Sequence, residues 1–216
     1  MKIIAFIAGF FLLSCQSQGS RNIPSEITEK LVTIDYQKLD TATFAGGCFW
    51  CVEAAFEQIE GVISAVSGYS GGDAKTADYR RVSSGYTNHA EAVQIFYDPE
   101  IISFETLLDI FFTAHDPTQL NRQGPDYGAQ YRSEIFYHNE EQKKLSEAKM
   151  KELSPSFTDP IVTKLSKLDA FYDAEEYHQD FEEKNPNQGY IVSVSRPKIN
   201  KVKKKFASIL KDSAKD

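Results

Sequence analysis

A nearly unbroken apolar run extends from Ile3 to Leu13, and the chain then turns polar through "QSQGSRNIPSEITEK" with no apolar periodicity. Ordered patterning begins near Tyr36 or Leu39. "TATFAGG" is β-rich and closes on two glycines, while Val52, Ala55, Phe56 and Ile59 then fall on one helical face. "GVISAVSGYSGG" and "AEAVQIFYDPE" predict two more strands, "SFETLLDIFFTAH" a helix capped by Ser103, and "YRSEIFYHN" a fourth strand. This βαββαβ order predicts an α+β fold, a ferredoxin-like two-layer sandwich whose sheet carries helices on one face. A loop-rich C-terminal extension follows. In it "NEEQKKLSEAKMKELS" predicts a charged surface helix, "IVTKLSKLDAFYDA" a fifth strand and loop, and "KINKVKKKFASILKDSAKD" a basic C-terminal helix.

Composition narrows the function class. A chain of 216 residues with 41% apolar residues can bury one good core. The first fifteen residues, "MKIIAFIAGFFLLSC", have one positive charge and an apolar run too short to span a bilayer as a mature helix. They predict a signal peptide over 1–14, and Leu12-Leu13-Ser14-Cys15 resembles the lipobox of bacterial lipoproteins, in which the cysteine is acylated. The expected layout is a signal at 1–14, a polar tether at 15–38, one domain at 39–197 and the basic helix at 198–216. The expected location is extracytoplasmic, lipid-anchored through Cys15 in the periplasm or cell envelope. Net charge is −7, and −8 without the signal, with 23 basic residues against 31 acidic, which argues against nucleic acid as the main partner.

With Cys15 taken by lipid, Cys48 and Cys51 are the remaining thiols. Cys48 falls where a strand ends and a helix begins, and the partial positive charge of a helix N-terminus predicts a stabilised thiolate there. Cys51 is one turn on, on the same face. A lone CxxC admits three readings: half of a zinc site, a redox pair, or a structural disulfide. His89-Ala90-Glu91 supplies the H-x-E of zinc deaminases, but their P-C-x-x-C follows that motif, and here the CxxC precedes it without a proline. A general disulfide oxidoreductase also fits a strand, CxxC and helix, although Phe49-Trp50 puts bulky rings where partner disulfides would dock.

"GCFWC", "SGYSGG", "DYRRVSSGYTNHAEAV", "HDPTQLNRQGPDYGAQYRS" and "FYDAEEYHQDF" followed by "KNP" resemble, in order and spacing, the A-type peptide methionine sulfoxide reductases, over about Thr43 to Val194. The resemblance implies a thiol enzyme that reduces methionine-S-sulfoxide in oxidised proteins, peptides and the free amino acid, with no metal or organic cofactor. It implies Cys48 as nucleophile, Glu91 as acid, Tyr79 and Tyr131 as donors to the sulfoxide oxygen, Phe49 and Trp50 as the methyl pocket, and Asp126 as a support. Many members carry glycine in place of Cys51 and recycling cysteines near the C-terminus. This chain has no cysteine after Cys51, so Cys51 is the expected partner of Cys48 in a disulfide that a thioredoxin-like reductant reopens. A monomer is expected, and His89, His115 and His178 are read as structural.

Overall fold

A computed structural model describes residues 38–215. The predicted signal, Cys15 and nearly all of the tether lie outside the described residues. β1 (Asp40–Gly46) lies inside a six-stranded sheet, bonded antiparallel to β3 (Ala90–Tyr97) on one edge and to β6 (Ser133–Tyr137) on the other. With β2 (Val62–Ser70), β7 (Lys164–Lys167) and β8 (Phe171–Asp173), the order is β7-β6-β1-β3-β2-β8, and only β6–β7 is parallel. A two-stranded ribbon, β4 (Arg122–Gln123) and β5 (Asp126–Tyr127), stands apart.

Register explains the core. Phe44 lies opposite Val93 on one side and Ile135 on the other, so one face presents a continuous apolar row. Helices α1 (Phe49–Glu57) and α3 (Phe104–Ala114) cover that row. The Phe44 ring meets Phe111 at 4.8 Å, Phe56 at 5.7 Å and Phe104 at 5.9 Å between centroids. A fully buried phenylalanine is worth about 1.5–3 kcal/mol by area alone, so this cluster anchors both helices. As predicted, Ser103 caps α3, its hydroxyl accepting the Thr106 N–H at 3.2 Å. The remaining helices are α2 (Tyr79–Ser83), α4 (Glu140–Leu153), α5 (Phe181–Lys184) and α6 (Arg196–Lys205).

Two expectations need correction. "IVTKLSKLDAFYDA" forms two strands at opposite sheet edges rather than one strand and a loop. Leu168 closes β7 by donating its N–H to the Tyr137 carbonyl, and the chain then crosses the sheet face away from α1 and α3. On the way Leu168 and Phe171 cover Ala45, Ala90, Ala92 and Phe136, apolar area that a loop in solvent would leave wet. The basic C-terminal helix also begins earlier and stops sooner than 198–216: α6 ends at Lys205. Beyond it Leu210 bridges Ile59, with Glu60 N–H to the Ile209 carbonyl and Lys211 N–H to the Gln58 carbonyl. Burying Leu210 there wins over extending a lysine-rich helix into water. Ile199 and Val202 are buried, so α6 belongs to the domain rather than following it.

Candidate active site

The strand-to-helix turn sets the reactive sulfur. Gly47 has φ +95°, and a Cβ there would lie 2.6 Å from Gln123 Cβ, so only glycine passes. Cys48 follows as the N-cap of α1 with a buried side chain. Glu91 lies on β3 two residues before Val93 and therefore on the helix-covered face. Its Oε2 accepts the Phe49 N–H at 3.1 Å. Burial pushes the Glu91 carboxyl up to about 8; the Phe49 amide opposes the rise and the Asp126 charge adds to it. At neutral pH this carboxyl is an acid with a proton to give.

Cys48, Phe49, Trp50, Tyr79, Glu91, Asp126, Tyr131 and Tyr190 line one cavity of about 200 Å³. Seven of those eight were expected from the sequence. They come from α1, α2, β3, β5 and the turn before β6. Trp50 is held flat, stacked on Phe181 at 3.8 Å between centroids with 8° between planes, while its indole N–H donates to His178 Nδ1 at 3.1 Å. One wall is therefore a rigid apolar surface suited to a methyl and sulfur group. Burial raises the Tyr79 and Tyr131 hydroxyls, the latter above the titratable range, so both stay protonated and can donate.

Sequence reasoning missed three supports. Tyr190 donates to Asp126 Oδ2 at 2.5 Å across the pocket, a position just past the quoted "KNP". Glu175 accepts from the Tyr69 hydroxyl at 2.8 Å and from the Tyr79 amide at 2.9 Å, tying α2 to β2. His178 is structural as expected, yet its bond orients Trp50. Glu175 and His178 both lie in the quoted "FYDAEEYHQDF", where the signal was available. His89 bonds the Asp73 carbonyl at 3.0 Å, and His115 bridges the Phe111 carbonyl and the Ser133 hydroxyl, each at 2.7 Å. No grouping of Cys48, Cys51 and His89 spaced to share an ion occurs among the described residues.

Burial works against the Cys48 thiolate expected at the helix N-terminus. Burial pushes the Cys48 thiol well above its ordinary range, and hydrogen bonding to Cys51 and the Glu91 charge push the same way. The first N–H of the helix N-terminus is spent on Glu91 rather than on sulfur. Cys51 goes down instead, to about 6, through the hydrogen bond from Cys48 and the nearby Lys198 ammonium. Of the two sulfurs, Cys48 is the one that burial pushes toward the thiol. Cys51 lies one turn behind the cavity wall, its N–H bonded to the Cys48 carbonyl at 3.2 Å.

Comparison with known proteins bears on this geometry. The family model described as peptide methionine sulfoxide reductase matches residues 40–210. A peptide methionine sulfoxide reductase MsrA of Natronomonas pharaonis is 53% identical over 169 residues, covering 77% of this chain and 95% of the relative. The MsrA of Thermus thermophilus is 48% identical, covering 80% and 98%. Among solved structures, reduced Mxr1 from Saccharomyces cerevisiae superposes with a TM-score of 0.68 at 39% identity, over 74% of this chain and 93% of that one. Methionine sulfoxide reductase A of Corynebacterium diphtheriae gives 0.63 at 33% identity, over 69% and 76%. The chain shares their mixed α/β fold around a curled central sheet. It belongs to the peptide methionine sulfoxide reductase family.

Proposed function

We propose that this pocket takes the S epimer of methionine sulfoxide, in proteins, peptides or the free amino acid, with the methyl group against Phe49 and Trp50 and the oxygen toward Glu91, Tyr79 and Tyr131. One observation carries the reading: a protonated buried carboxyl, two phenols and a thiol surround a single cavity of about 200 Å³. A sulfoxide is a poor electrophile until its oxygen takes a proton, so acid and nucleophile must act together. Glu91 protonates the oxygen, the phenols stabilise the charge developing on it, and Asp126 holds Tyr190 at the rim. Cys48 passes its proton to the Cys51 sulfur as it attacks. The outcome is methionine plus Cys48 sulfenic acid, with Cys48 oxidised by two electrons and the sulfoxide reduced by two.

Cys51 then closes a Cys48–Cys51 disulfide with loss of water, and a thioredoxin-like dithiol reopens it. Adjacency within one helical turn supports this scheme. The order β6-β1-β3-β2, antiparallel throughout, supports the ferredoxin-like reading of the central unit. The apolar run and "LLSC" support an extracytoplasmic lipoprotein anchored at Cys15.

Turnover of each epimer with dithiothreitol tests the assignment. The S epimer should be reduced, the R epimer not, and Cys48→Ser should abolish activity; preference for the R epimer would sink it. For the anchor, intact-mass analysis of a membrane fraction should find a diacylglyceryl Cys15 as N-terminus. A soluble chain of full mass would count against it.

A further inference from the structure

We propose that Lys198 is a positioning residue for Cys51, a cation on α6 that keeps the Cys51 sulfur ionised against Cys48 so that it attacks as soon as the sulfenic acid forms. The inference rests on the reading of Cys51 as the resolving thiol. Lys198 Nζ lies 4.0 Å from Cys51 Sγ, and Cys51 is only 3% exposed, so water cannot supply the counter-charge. A thiolate buried without a cation would revert to thiol.

The placement is rigid because α6 lies against α1 and α3, with Ile199 and Val202, which follow the lysine, buried. The groups facing Cys51 are few. Cys48 caps its own helix, Glu91 is on β3, Tyr190 precedes and Ser195 ends the π-helical turn Ile191–Ser195, and Lys198 is on α6. The Ser195 hydroxyl, buried without a hydrogen-bond partner, is near the same sulfur. His115 is near Lys198 but stays neutral, held down to about 4 by burial and by that ammonium, so it does not share the anion. Lys198 is the one full positive charge in this set.

In the step it serves, a Cys51 lone pair attacks Cys48 Sγ and the S–S bond forms as S–O breaks. By then Cys51 has handed the proton it took from Cys48 to the Glu91 carboxylate, which passes it to the leaving hydroxide so that water departs, and Glu91 regains a proton from solvent. Cys51 is oxidised and the sulfenic sulfur reduced to the disulfide level. Where C-terminal cysteines do this work, a distant segment must reach the site; here the resolver waits in place, and a fixed cation can be matched to it.

The test follows disulfide closure in single turnovers of the full chain carrying Cys15→Ser, from dimedone-trappable sulfenic acid to disulfide by mass. Loss of the cation raises the Cys51 pKa but also raises its intrinsic nucleophilicity, so the two effects separate by pH. Lys198→Met should close roughly five- to tenfold more slowly at pH 6 and catch up with wild type by about pH 9, while Lys198→Arg keeps the wild-type profile. A wild-type profile in Lys198→Met overturns the proposal. So does closure slowed equally at every pH in both variants, which would make Lys198 a packing residue. Wild-type recycling by a dithiol in Cys51→Ser would instead remove the resolver reading on which the proposal stands.

Discussion

Glu91 keeps its proton at neutral pH because burial outweighs the Phe49 amide that bonds it. That amide also fixes the carboxyl under the pocket, so position and acidity are set by the same contact. The rate constant for sulfoxide reduction should therefore fall as pH rises through about 8, where the folded-state carboxyl loses its proton. Glu91→Gln should remove this limb and cost about 10²- to 10⁴-fold, read in stopped-flow single turnovers of the Cys51→Ser protein. That Cys48 and Glu91 line the pocket was legible in the sequence, because both sit inside long motifs. The relative acidity of the two thiols was not. It depends on residues 190, 195 and 198, which are distant in sequence and reach Cys51 only through the packing of α6.

At the scale of elements, the apolar residues of "TATFAGG", "AEAVQIFYDPE" and "YRSEIFYHN" are enough to place β1, β3 and β6, since each lays an apolar row against α1 and α3. The segment from Pro160 to Asp173 gives no such signal, because it buries isolated side chains while crossing the other face. β8 nevertheless governs the site, for Glu175 and His178 follow it directly and hold Tyr79 and Trp50. Gly68 is where β2 admits β8: a Cβ there would lie 2.3 Å from Phe171 Cζ and 2.4 Å from the Tyr172 carbonyl. Gly68→Ala should push β8 outward, at a cost of about 1–3 kcal/mol for the forced repacking. The expected readouts are a lower Tm, a shifted Trp50 emission, the chain's single tryptophan, and a raised KM with the Cys48 thiol still titratable.

Over the whole molecule, acid–base behaviour is dominated by carboxyls that burial has made weak. Glu53 is raised to about 7 by burial, partly offset by the Asp180 amide, and Glu57 to about 8 by burial and the Glu53 and Asp180 charges. One carboxylate oxygen from each of the three lies within 4.8 Å of the others. An unfolded glutamate releases its proton near about 4.3, whereas these hold theirs to pH 7–8. Across that window the native state binds more protons, so stability falls as pH rises. His115 acts oppositely: its folded value near 4 is below the unfolded value, so its contribution is lost as pH falls below about 6.5. Calorimetry should find Tm declining from pH 6 toward pH 8.5, a decline that Glu57→Gln flattens.

The two ends of the sheet bear on the company this enzyme keeps. β7 is four residues long with exposed lysines at both ends, and β8 is only three residues. Short, charged borders deny an extended chain any ladder to join. An enzyme that acts on oxidised peptide chains meets extended segments as a matter of course, and borders of this kind disfavour strand addition by them.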